Sequence, residues 1–117
     1  MTPIISSVSE SLAEFEFLVM LATLRLGPDE AYTVSIAADI AERTGRGVRR
    51  ANVFTTLQRL EKKGLVSTRL SEPRTERGSR PRRLVRVEPD GLAAVRATAG
   101  AIRSMIGDLA DTVWETG

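Results

Sequence analysis

Apolar side chains recur at helical spacing from Glu10 to Leu26: Leu12, Phe15, Leu18, Val19, Ala22 and Leu26 fall on one face, and Leu21 and Leu24 widen it. Gly27-Pro28 ends the pattern. A second helical pattern covers Thr33 to Thr44, with Val34, Ile36, Ala37, Ile40 and Ala41 inward and Asp39, Glu42 and Arg43 outward. Gly45 and Gly47 break the chain there, so a short helix is followed by a turn.

From about Arg50 to Lys63 a third helix is predicted, with Val53, Leu57 and Leu60 facing the core and Gly64 closing it. The opposite face gathers Asn52, Thr55, Thr56, Arg59 and Lys63. An amide, hydroxyls and cations along one ridge are groups able to meet base edges and phosphates. Leu65 to Leu70 and Arg83 to Glu88 then read as two short strands, joined by a turn-rich, arginine-rich stretch from Ser71 to Pro81. A lone hairpin is marginal, so this one must pack on the helices, through Val66, Leu70, Val85 and Val87.

Pro89 suits the first turn of a last helix, with Asp90 beside the positive end of its dipole. Leu92, Val95, Ala99, Ile102, Ile106, Leu109 and Val113 follow alternating spacings of 3 and 4, the mark of a coiled-coil seam. Met105 and Trp114 flank the seam, and Gly91, Gly100 and Gly107 hint at close helix approach. A helix of about 27 residues, roughly 40 Å long, exceeds what a small core can cover. The seam is therefore expected to pair two copies, against the alternative of packing on its own domain. The division expected is a head over 1–88 and a dimerisation helix over 89–117.

The chain has 117 residues, 42% apolar and 27% charged, which suits one ordered globular unit. It has no cysteine and no histidine. Disulfides, thiolate or imidazole metal sites and Ser-His or Cys-His nucleophiles are thereby excluded, and no cofactor, metal or enzymatic activity is expected. Glu14 and Glu16 lie two apart on one helix and do not face each other, so they make no acid–base pair. The longest apolar stretch, Phe17 to Leu24, is too short to span a bilayer, and a cytoplasmic location is expected.

Net charge is only +2, but its distribution is uneven. Arg43 to Arg86 holds fourteen Lys and Arg against Glu61, Glu72 and Glu76, a surplus of eleven; the remainder holds three against twelve acids. Most charged runs are solvated surface, yet here the surplus falls on the helix-turn-helix pattern and the hairpin, the parts of a winged helix-turn-helix that touch DNA. The fold class expected is mainly α with a small β-hairpin: a winged helix-turn-helix domain plus a long C-terminal dimerisation helix.

The run from Leu12 to Leu70, above all FTTLQRLEKKGLV, followed by ERGSRPRRLVRVEPDG, resembles the short, single-C-terminal-helix type of the PadR family of transcriptional regulators. The resemblance covers roughly Leu12 to Gly91. It implies a homodimer that binds palindrome-like double-stranded DNA operators, commonly as a repressor, with its last helix docked against the partner's N-terminal region. It places DNA contacts at Arg49, Arg50, Asn52, Phe54, Thr55 and Arg59 on the recognition helix, and at Arg77, Gly78, Arg80 and Arg82 on the wing. Phe54 stands where the family usually has tyrosine, so a phenol contact to phosphate cannot be made there. Leu84 and Val85 occupy the second wing strand, where the family tends to carry aromatics.

The residues leave some roles open. Lys62 and Lys63 suit a helix C-terminus with or without DNA. Arg74 and Arg83 join the other wing arginines as candidates for phosphate or a narrow minor groove. Tyr32 and Trp114 are candidates to line a small-molecule effector pocket between subunits, although aromatics in so short a chain are more often core. A winged-helix module that binds a protein partner and no DNA is the alternative function.

Overall fold

A computed structural model of the chain describes residues 11–72 and 80–115. Helices α1 (Glu14–Leu26), α2 (Thr33–Thr44) and α3 (Arg50–Lys62) precede strands β1 (Val66–Leu70) and β2 (Arg83–Val87). Helix α4 (Pro89–Ile106), a single 3-10 turn at Gly107–Leu109 and the short α5 (Ala110–Trp114) follow. The architecture is mainly helical with one antiparallel hairpin, in the order of a winged helix-turn-helix.

One core joins these elements. Val19, Met20 and Ala22 of α1 meet Ile36, Ala37 and Ile40 of α2, Val53, Leu57 and Leu60 of α3, Val66 and Val85 of the hairpin, and Ala94 and Val95 of α4. Fully burying a side chain of this size contributes about 1.5–3 kcal/mol, so the three helices and the hairpin fold as one unit. Gly27 and Gly45, with φ of 84° and 73°, close α1 and α2 in conformations that other residues adopt only with strain.

The hairpin pairs Val66 with Val87, Thr68 with Val85 and Leu70 with Arg83. Ser71 extends the ladder: its amide donates to the Arg82 carbonyl at 2.7 Å, and its hydroxyl accepts the Arg82 amide at 2.8 Å. Along the other edge of β2, the Val85 amide donates to the Ala31 carbonyl at 2.9 Å. The α1–α2 connection therefore acts as a short third partner of the hairpin.

Several burial expectations are corrected. Leu70 is 59% exposed, because it pairs with Arg83 at the wing end of the ladder, beyond the reach of the helices. Leu24 and Val34 are also exposed, at the rims of their helices. Thr56, expected outward, is buried one turn from Val53 and Leu60. Glu16, read from the sequence only as unable to pair with Glu14, is buried, and its Oε1 accepts the Ala13 amide at 3.0 Å.

The long terminal helix is shorter than its pattern. It breaks at Gly107, whose φ of 47° leaves the helical region. The apolar stripe is also divided between two uses. Val95 is buried in its own subunit and Leu92 and Ala99 are partly covered, while Ile102, Leu109 and Val113 are exposed. Gly91 does mark a close approach, but to the bend that leads into β1: a Cβ there would lie 2.1 Å from the Leu65 carbonyl oxygen. Among the described residues, no helix is long and apolar enough to cross a membrane.

Candidate nucleic-acid interface

Helix α3 buries Val53, Thr56, Leu57 and Leu60, which leaves Ala51, Thr55, Gln58 and Lys62 directly opposite, all exposed. That outermost ridge differs from the one read from the sequence. Asn52 and Arg59 lie on the flank toward α1, where with Phe15, Thr55 and Thr56 they line a shallow depression. Phe54 lies on the other flank, 47% exposed, over a cleft bordered by Thr68, Arg83 and Val85 of the hairpin. Gln58 was missed. The signal was its position three residues after Thr55 and four before Lys62, on the face away from Val53 and Leu60.

The turn before α3 is held to α1. Arg46 donates through both terminal nitrogens to Glu14, at 3.3 and 3.0 Å, and the Thr44 hydroxyl accepts the Arg46 amide at 3.2 Å. Arg49 is the extended N-cap of α3 and makes no capping side-chain bond. With Arg50 it places two exposed guanidinium groups at the positive end of the helix dipole.

Ion pairs sort the basic surplus into two sets. Arg43 pairs with Asp39 at 3.3 Å, Arg46 with Glu14 at 3.0 Å and Arg69 with Asp29 at 2.9 Å. Buried Glu16 holds Lys63 at 3.4 Å and Arg59 at 3.8 Å. Arg49, Arg50, Lys62, Arg80 and Arg86 have no acidic partner among the described residues. Hence part of the positive charge stabilises the head internally, and the remainder stands at the two ends of α3 and on the hairpin.

At the base of the wing, Arg82 is half-buried, with its guanidinium carbon 4.6 Å from the centre of the Tyr32 ring. Arg80, the first described residue after Glu72, is exposed. Arg77 and Gly78, with Arg74, lie outside the described residues. Tyr32 thus contacts the base of the wing, and Trp114 is 67% exposed, contrary to a core role. With Phe17, Ile102, Ile106 and Gly107, Trp114 lines an apolar groove at the break between α4 and α5.

No family model matches the chain, and no curated protein does. Solved structures do resemble it. A PadR family transcriptional regulator from Eggerthella lenta DSM 2243 superposes with a TM-score of 0.63 at 22% identity, over 88% of each chain. A PadR-like transcriptional regulator from Bacillus cereus strain ATCC 14579 gives 0.63 at 13% identity, over 86% of this chain and 93% of its own. A Streptococcus transcriptional regulator gives 0.65 at 14% identity, over 88% and 98%. The fold of this chain is that of the PadR-type winged-helix regulators. At these identities the likeness is one of architecture.

Proposed function

We propose that the protein is a sequence-specific, double-stranded DNA-binding transcriptional regulator that acts as a homodimeric repressor. The observation that carries the reading is the outer face of α3. Thr55 and Gln58 offer donors and acceptors to base edges, while Arg49, Arg50 and Lys62, without acidic partners among the described residues, offer charge to flanking phosphates. A helix presented beside a basic hairpin suits the major groove, and Asn52, Phe54 and Arg59 flank its contact line.

Dimerisation is assigned to the second half of the apolar stripe. Ile102, Met105, Leu109 and Val113 are exposed on consecutive turns across the Gly107 break, and Ile106 lies beside them. An apolar surface this continuous marks a protein contact, and a second copy meets it with the same residues by two-fold symmetry. Leu92, Val95 and Ala99 support that helix from within the subunit. The groove lined by Phe17 and Trp114 adjoins this surface and is the place assigned to an effector. A dimer occupying an operator regulates by covering it, which is the basis for assigning repression.

Selection of DNA from a random pool by the purified protein tests the function directly. The expected product is a two-fold sequence with half-sites about one helical turn, 34–36 Å, apart, bound with a steeply negative dependence on salt. Failure to enrich any sequence, or binding that ignores salt, contradicts the reading.

A further inference from the structure

Each face of the hairpin is braced against the helical head through an arginine of its own strands. On one face, Arg83 Nη1 donates to the Thr68 hydroxyl at 3.2 Å, and that hydroxyl donates to Glu61 of α3 at 3.0 Å. On the other, Arg69 donates to the Asp29 carboxylate at 2.9 Å and to the Pro28 carbonyl at 3.4 Å, while Arg82 stacks on Tyr32. The backbone beneath Tyr32 is fixed in turn. The Ser35 hydroxyl accepts the Tyr32 amide at 3.0 Å and donates to the Glu30 carbonyl at 2.7 Å, and the Ala31 carbonyl accepts from Val85. Arg82 itself is locked to Ser71 through its own amide and carbonyl. Its side chain thus spans two anchored backbones at the point where the wing leaves the head.

We infer that Arg82 is a positioning residue, which with Tyr32 sets the angle of the wing relative to α3, and that its charge is not one of those neutralised by phosphate. A stacked guanidinium over an aromatic face is a directional contact that an ammonium reproduces poorly. Among the described residues, the exposed Arg80 nearby is a wing cation open to the duplex. The consequence for DNA affinity rests on the function proposed above; the bracing itself rests on the geometry.

The two roles differ in what each substitution does. As a brace, Tyr32→Leu, Arg82→Lys and the double variant each weaken binding to a duplex selected by the wild-type protein by a similar factor, about three- to ten-fold. The double loss falls well short of the product, because both residues serve one contact. Tyr32→Phe binds like the wild type. The slope of log K against log salt stays unchanged in all four, whereas Arg80→Ala lowers it by about one. As a phosphate contact, Arg82→Lys and Tyr32→Leu would bind normally, and Arg82→Ala would flatten the salt slope; that result overturns the inference.

Amide exchange without DNA separates this from the function. Faster exchange at Ser71, Arg82 and Val85 in Tyr32→Leu and Arg82→Lys, with α1–α3 protected as in the wild type, supports the brace even if no duplex is bound. Unaltered exchange at those amides overturns it.

Discussion

The Leu12 amide donates to the Thr98 hydroxyl at 3.1 Å in a buried setting, which ties the segment before α1 to α4. Removing the acceptor while keeping the shape leaves that N–H unpaired. Thr98→Val should lower stability by about 1–3 kcal/mol, a fall in melting temperature of roughly 5–15 °C, and Thr98→Ser should restore most of it. Thermal unfolding at one fixed protein concentration checks this; an unchanged midpoint for Thr98→Val would mean that the bond contributes nothing.

Two glycines of α4 should respond in opposite directions. A methyl at Gly91 meets the Leu65 carbonyl at 2.1 Å and the Met20 methyl at 2.8 Å, whereas a methyl at Gly100 meets nothing within 4 Å. Gly91→Ala should cost about 1–3 kcal/mol from overpacking. Gly100→Ala should add about 0.5–1 kcal/mol by removing a flexible residue from a helix interior. Urea unfolding of both variants measures the sign of each change.

Glu16 both caps α1 and neutralises cations of α3. Glu16→Gln keeps an oxygen for the Ala13 amide but removes the negative charge that Arg59 and Lys63 face. Stability should fall by about 1 kcal/mol, since both partners are partly exposed. Affinity for duplex should rise a few-fold, with a steeper salt dependence, as the charge of these cations is less neutralised toward phosphate. Denaturation and anisotropy on the same preparation read both effects; a variant with unchanged affinity and slope argues that these cations stay away from the duplex.

On α3, base reading and charge should separate. Gln58→Ala should relax preference at one base position by about 1–3 kcal/mol without altering the salt slope. Arg50→Ala should weaken all sequences alike and flatten the slope by about one. Binding measured on a set of single-base variants at two salt concentrations distinguishes these patterns.

The elements were legible in the sequence because their signals are local. Gly27, Gly45 and Gly64 close three helices at the expected places, and the hairpin strands start and stop within a residue or so of the pattern. What failed depends on where elements meet. Thr56 and Gln58 sit two apart, and only the packing of α3 decides that the first is covered and the second faces outward. The pairing of Glu14 and Glu16 with cations 32 and 47 residues away has no local trace in the sequence. The seven-residue stripe is continuous as a pattern, but a spacing cannot tell that Val95 is buried in the shared core while Ile102 is exposed, nor that Gly107 breaks the helix.

The account stands on two copies presenting α3 to one duplex. Sedimentation equilibrium of the protein with a duplex enriched from the random pool measures that stoichiometry directly. The mass expected is that of two chains per duplex, falling to free monomer and free DNA when Ile102 and Leu109 are both replaced by Asp. A complex of one chain per duplex, or two-chain binding that survives the double replacement, would contradict the account.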